Sequence, residues 1–224
     1  MAEVPATATP VTLDTAAYAL LTAARAQGLS LTRVGALLFL ALVWVETGRG
    51  KSTIQHNVGN VMARGYRTNG VEYSVWSGDY WRPAWFNDTS SATYQRMLNG
   101  QAPSAFRAYD SLVDGMADYV AVLFGKSGLV QAANSGDVSA FVDVLSRTYS
   151  PDYGPSHVKT FTSLVNDFDA QGIYLELGQA APSVQTTATS TPASKRSSGG
   201  GLGLLVGGAV AVVVALYELS RWLK

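Results

Sequence analysis

With two histidines, His56 and His157, and no cysteine, this chain must draw any catalytic chemistry from carboxylates, hydroxyls, amides and aromatic rings. The cysteine count excludes a disulfide framework, a thiol nucleophile and a cysteine zinc site. Two histidines are too few for a histidine-rich metal centre; no metal or organic cofactor is expected. Among the carboxylates, Glu46 stands apart. It closes the nearly all-apolar stretch from Leu31 to Glu46, and Gly48 behind it is a natural residue to stop a helix. Desolvation by an apolar helix disfavours the charged form, and the helix C-terminus is the negative end of the dipole. Both effects favour a retained proton. A carboxyl that keeps its proton near neutral pH can act as a general acid, as glycosidic bond cleavage requires. Read more plainly, Glu46 is a carboxylate paired with Arg49 or Lys51 at a frayed helix end, and spacing alone leaves both readings open.

Other side chains carry similar pairs of readings. Tyr149 and Tyr153 flank a Ser-Pro-Asp turn. Aromatics beside a groove stack on sugar faces while their hydroxyls hydrogen-bond, but two tyrosines can also simply fill a core. Asn57 and Asn60 can offer amides to a ligand or merely shape a turn. Phe106, Arg107 and Tyr109 read as interlobe packing, with Arg107 pairing a buried acid. The neighbouring Gly50-Lys51-Ser52-Thr53 looks like part of a phosphate-binding loop. That motif needs a glycine where this chain has Val45, and it should follow a strand rather than a helix. A nucleotide-binding role is rejected.

The elements that must position these residues are mostly helical. Thr12 to Gln27 carries an apolar stripe of Leu13, Ala16, Ala17, Leu20 and Leu21. Leu31 to Glu46 is apolar almost all round, as the helix at the centre of a core should be. Helical spacing returns at Phe106 to Phe124, Val138 to Thr148 and His157 to Phe168. Between Asn60 and Gly100 the composition shifts to Gly, Asn, Asp and aromatics. Short alternating runs at Val71 to Trp76 and Trp81 to Phe86, separated by Ser77-Gly78-Asp79, suggest a β-hairpin or irregular lobe set into the helical domain.

The motifs, in order, are Trp44-Val-Glu46-Thr-Gly48, then Asn57-Val-Gly-Asn60-Val. Phe106-Arg107-Ala-Tyr109-Asp-Ser111 with Asp118-Tyr119 follows, then Tyr149-Ser-Pro-Asp-Tyr153. This ordered set resembles the bacterial N-acetylglucosaminidases of the flagellar cell-wall hydrolase type, within the lysozyme-like superfamily, over about residues 31 to 169. The resemblance implies a mainly α fold with a small β-hairpin lobe, two lobes in all, and a glycan groove between them. It places the catalytic glutamate at Glu46 and a catalytic tyrosine at Tyr149, with Tyr153 one helical turn on. It matches Asn57 and Asn60 to the segment that shapes the groove floor, and so implies substrate-binding roles for Asn57, Asn60 and Tyr153. One departure is visible. Many family members carry a second acid in a Thr-x-Glu context, where this chain reads Thr93-Tyr94-Gln95. Asp88, Asp79 and Glu72 are the candidate substitutes. Without one, a single-glutamate mechanism remains, in which Glu46 protonates the glycosidic oxygen and then acts as base toward water or the sugar's own 6-hydroxyl. The second course would make a lytic transglycosylase.

Around this domain (1–176) the chain changes character. Residues 177–198 are rich in Ser, Thr, Ala and Pro and read as a flexible linker. The uncharged run from Gly199 to Tyr217 would reach roughly 28 Å as a helix, close to a bilayer's hydrocarbon thickness. It predicts one C-terminal transmembrane helix (199–220) followed by a basic tail (221–224). Two basic residues on each flank leave its orientation open. The first fourteen residues have neither a basic n-region nor an apolar core, so no secretory signal peptide is expected there.

Composition narrows the function classes further. Charged residues make up 14% and hydrophobic residues 47%, which excludes an intrinsically disordered chain. A formal net charge of +0 argues against a nucleic-acid partner held by phosphate neutralisation. The expectation is a membrane-anchored, peptidoglycan-cleaving glycosidase (glucosaminidase, muramidase or lytic transglycosylase). Its partners would be peptidoglycan glycan strands and a lipid membrane, in a bacterial cell envelope or, as a phage protein for cell-wall penetration, in a virion membrane. The alternative is a catalytically inactive glycan-binding or structural membrane protein of a virion or envelope.

Overall fold

The computed structural model describes residues 2–67 and 69–173. The linker (177–198), the expected transmembrane helix (199–220) and the basic tail (221–224) lie outside the described residues. Within them, no helix is long and apolar enough to cross a membrane.

Among the described residues, seven α-helices and four strands make a mainly helical body with one small sheet. Helix α1 (Leu13–Ala26) begins at Thr12, whose hydroxyl accepts from the Thr15 amide. Helix α2 (Arg33–Glu46) is capped by Thr32 and runs through the centre of the body. Every residue from Gly35 to Val43 is buried, which explains why its sequence shows no polar face. Helices α4 (Leu112–Phe124), α5 (Leu129–Ser135), α6 (Val138–Thr148) and α7 (Pro155–Ala170) complete the helical layer. Phe39 meets Phe124 and Phe141 edge to face at its heart. A cavity made there, by Leu40→Ala for example, would cost about 2–5 kcal/mol.

The sheet differs from the expected hairpin. Strands β1 (Met62–Tyr66), β2 (Glu72–Ser74), β3 (Tyr80–Trp81) and β4 (Pro103–Arg107) pair antiparallel in the order β2-β1-β4-β3. Thus β2 and β3 do not pair with each other across Ser77-Gly78-Asp79; β3 pairs instead with β4. The run from Trp81 to Phe86 is only partly strand, since Pro83 precedes a 3-10 turn at Ala84–Asn87. The short helix α3 (Ala92–Leu98) then leads into β4.

The helix read from Phe106 also begins later. Phe106 and Arg107 end β4, where Phe106 pairs with Met62 and Trp81 and stacks on the Trp81 ring at 4.8 Å. Ser111 then caps α4 by accepting from the Asp114 amide. The first residues of the chain, unassigned by pattern, run along this surface. The Val4 amide donates to Tyr80 and the Val11 amide to Gly50, tying the sheet edge to the loop that follows α2.

Candidate active site

Glu46 stands in the last turn of α2. Beyond it Gly48, Arg49 and Gly50 all adopt positive φ, which lets the chain turn back beneath the helix end. Thr47 closes the turn from both sides, donating its hydroxyl to the Val43 carbonyl at 2.8 Å and accepting from the Gly50 amide at 3.0 Å. A Cβ on Gly50 would come within 1.9 Å of the Val11 carbonyl, so only glycine permits this close approach. The loop folded this way covers the helix end and leaves Glu46 3% exposed.

A phenol meets the carboxylate there. Tyr153, in the turn between α6 and α7, donates its hydroxyl to Glu46 Oε1 at 2.5 Å. That turn is made by Ser150, whose carbonyl accepts from the Tyr153 amide. Tyr149 caps the end of α6, with its ring centroid 6.1 Å from that of Tyr153. From the opposite side, α4 brings Tyr119, wholly buried, to donate to the Tyr149 hydroxyl over 3.4 Å. Burial drives the Tyr119 phenol well above its ordinary pKa, and the neighbouring Glu46 carboxylate acts the same way. Three phenols from three elements thus gather around one buried carboxylate. On the carboxylate itself, burial and the helix end oppose charge, whereas the Tyr153 hydroxyl favours it. Competing influences of this kind suit a group that must both release and regain a proton.

Of the residues singled out by sequence, Glu46, Tyr149 and Tyr153 are therefore brought together. Tyr153 is 5% exposed and directed at the carboxylate, so in this structure it orients Glu46. Asn57 is 3% exposed, and its side chain is engaged with backbone. Its Nδ2 donates to the carbonyls of Val61 and Arg107, both at 3.0 Å, and its Oδ1 accepts from the Val61 amide at 2.7 Å. The amide thereby pins the loop after α2 to the end of β4. Asn60, three residues on, takes a left-handed φ of 50° in the same loop.

Arg107 pairs with an acid, as its sequence context suggested. Its Nη1 lies 2.8 Å from each carboxylate oxygen of Asp118, which also accepts the Tyr109 hydroxyl. Burial, followed by Asp118, raises the Tyr109 pKa far above its ordinary value. Asp118 and Tyr119 are neighbours on α4 with separate duties: Asp118 engages the end of β4, and Tyr119 engages Tyr149.

The three candidate second carboxylates all have local partners. Glu72 faces Arg82 at 2.8 Å, Arg64 at 3.5 Å and the Ser104 hydroxyl at 2.7 Å. Burial alone would raise its pKa, but the hydrogen bonds of Arg82 and Ser104, with the charges of Arg82 and Arg64, hold it below the ordinary value. Asp79 accepts from the Ala2 amide at 2.7 Å. Asp88 accepts from Ser90 inside its own turn. No group of three or more His, Asp or Glu is placed to hold a metal ion among the described residues.

Tyr119 is the residue that sequence reasoning left without a role. Its signals are its place in the Asp118-Tyr119 motif and a hydroxyl in an otherwise apolar helical stripe, where phenylalanine would pack equally well.

No family model matches the chain, and no curated protein does. Among solved structures, it is similar to the glycoside hydrolase domain of FlgJ from Salmonella typhimurium. That likeness has 20% identity and a TM-score of 0.44, covering 70% of this chain and 85% of the other. The chain is also similar to a peptidoglycan hydrolase mutant from Sphingomonas sp. A1, at 24% identity and a TM-score of 0.44, over 71% of this chain and 97% of the other.

Proposed function

We propose that this protein is a glycosidase acting on peptidoglycan, with Glu46 as general acid and base. The observation that carries the proposal is a carboxyl at the end of a buried helix, held by the Tyr153 hydroxyl at 2.5 Å. The motif order read from the sequence supplies the substrate class. In the reaction, Glu46 gives its proton to the glycosidic oxygen as the bond from that oxygen to the anomeric carbon breaks, and the leaving sugar departs as an alcohol. The Glu46 carboxylate then takes a proton from an incoming hydroxyl, whose oxygen bonds to the anomeric carbon and restores the neutral acid. Tyr149, the most exposed of the three phenols, supports positive charge developing on the sugar or orients the nucleophile. A single-glutamate route is supported by the local partners of Glu72, Asp79 and Asp88. The incoming hydroxyl belongs to water in a hydrolase and to the sugar's own 6-hydroxyl in a lytic transglycosylase.

Anchoring belongs to the same proposal. The linker would tether the domain to a helix at 199–220 and confine cutting to the wall beside one membrane, in a bacterial envelope or a virion. Flotation of the full chain with lipid vesicles, lost on deleting residues 199–224, is the expected outcome.

A second reading has its own support. At 3% exposure, Glu46 offers a substrate little surface, as a glycan-binding or structural protein would allow. Incubating the full chain with purified peptidoglycan and reading soluble products by mass spectrometry separates the two. The enzyme reading expects fragments that disappear with Glu46→Gln, their end groups showing a reducing sugar or a 1,6-anhydro ring. A folded wild-type chain that retains glycan and releases nothing would establish the second reading.

A further inference from the structure

We infer that Tyr119 is a positioning residue for Tyr149: its hydroxyl, donated from the helical core, fixes the direction in which the Tyr149 hydroxyl points. The inference rests on the glycosidase reading of Glu46 and Tyr149 and adds to it a residue from a different helix.

The argument begins with cost. Tyr119 is 0% exposed and belongs to the main hydrophobic cluster, with Met116, Val120 and Leu123 of its own helix. A hydroxyl taken into such surroundings costs free energy unless it finds a partner, and phenylalanine would fill the same space without that cost. The partner it finds is the Tyr149 hydroxyl, with the two rings edge to face at 6.2 Å.

The ring is also held in place from two directions. A Cβ on Gly59 would lie 2.0 Å from the Tyr119 ring, so the loop carrying Asn57 and Asn60 presses bare backbone against it. One residue earlier on α4, Asp118 is gripped by Arg107 and Tyr109, which fixes the rotation of the helix. A phenol this confined can hold a hydrogen bond in one direction.

The direction matters chemically. The geometry makes the Tyr119 hydroxyl the donor and the Tyr149 oxygen the acceptor, and burial, which opposes ionisation of Tyr119, keeps the proton there to donate. With one lone pair of the Tyr149 oxygen so occupied, the Tyr149 proton must point elsewhere, and a phenol that accepts a hydrogen bond is polarised into a better donor. At 3.4 Å the contact is long for O–H···O. Hydrogen bonds of catalytic groups commonly tighten when substrate arrives.

The test is a double-mutant cycle on the full chain, using Tyr119→Phe and Tyr149→Phe, with kcat and KM for fragment release and the melting temperature of each protein. Tyr119→Phe should lower kcat about threefold to tenfold, the size expected for one hydrogen bond, with KM unchanged. In the Tyr149→Phe background the same substitution should change kcat less than about twofold. An unchanged kcat in the single variant, or an undiminished penalty in the Tyr149→Phe background, would overturn the inference. Replacing Tyr119 by 3-fluorotyrosine, which keeps ring and hydroxyl but alters donor strength, covers the case in which the phenylalanine variant folds poorly. It should change kcat without moving the melting temperature, and an unchanged kcat would count against the inference. Wild type and Glu46→Gln run as controls. If wild type releases no fragments, or Glu46→Gln releases as many, the glycosidase reading fails and takes this inference with it. If both controls behave and the cycle is additive, only the role of Tyr119 fails.

Discussion

Two carboxylates of this protein show what surroundings do to one functional group. Glu72, in the sheet, has Arg82, Arg64 and the Ser104 hydroxyl around it, and its ionised form is the favoured one. Glu46, at the end of α2, meets the Tyr153 hydroxyl, with Tyr149 and Tyr119 close behind. Cations fix a carboxylate in its charged state, which suits cross-linking a sheet. Phenols can donate to a carboxylate without cancelling its charge, which leaves proton exchange within reach. On the proposed glycosidase reading, the partner set separates Glu72, a structural acid, from Glu46, a chemical one, although both occur in one small domain.

Three substitutions sharpen or break this comparison. The largest effect is expected at the joint between the two regions. Asn57→Ala removes three hydrogen bonds to backbone in a buried site and should destabilise the fold by about 2–4 kcal/mol in chemical denaturation. A loss below about 0.5 kcal/mol would mean that loop and sheet do not depend on each other.

Next is Tyr153→Phe, which deletes the donor to Glu46. Fragment release should fall about tenfold. The sign of the pH effect follows from the bond. A hydroxyl donating to a carboxylate favours the charged form, so its removal favours the protonated acid, and the high-pH decline in activity should move to higher pH. An unmoved profile would detach Tyr153 from the proton of Glu46.

The smallest effect is expected at Glu72. Its folded pKa is lowered, so its contribution to stability is present above the unfolded value of 4.5 and is lost as pH falls through the lower folded value. Glu72→Gln should cost about 1 kcal/mol at neutral pH, because its partly exposed ion pairs are screened. Thermal melts of wild type and variant should converge in acid. Equal melting temperatures at pH 7 would remove the structural role given to Glu72.

Much of this was legible in the chain. The all-apolar α2 announced a buried central helix ending in a carboxyl, and Val138 to Thr148 showed its helical period openly. The pairing of β3 with β4 was not legible, because a two-residue strand is set by distant partners and carries no pattern of its own. Phe106 and Arg107 continue an apparent helical period but are claimed by the sheet, an override of local spacing by pairing with Met62 and Trp81. In the candidate site, motif order and residue type single out Glu46, Tyr149 and Tyr153, and the fold brings these three side chains together. The backbone duty of Asn57 and the hydroxyl of Tyr119 were hidden, because both depend on contacts between segments about fifty and thirty residues apart.

The central claim is that Glu46 does chemistry and Glu72 holds structure. The most direct test places Glu46→Gln and Glu72→Gln of the full chain side by side, measuring fragment release from purified peptidoglycan and the melting temperature of each. The account predicts that Glu46→Gln loses at least about 10²-fold in release with its fold intact. Glu72→Gln should keep nearly full release while melting earlier. Equal release by Glu46→Gln and wild type, or a loss of release in Glu72→Gln without any loss of stability, would contradict it.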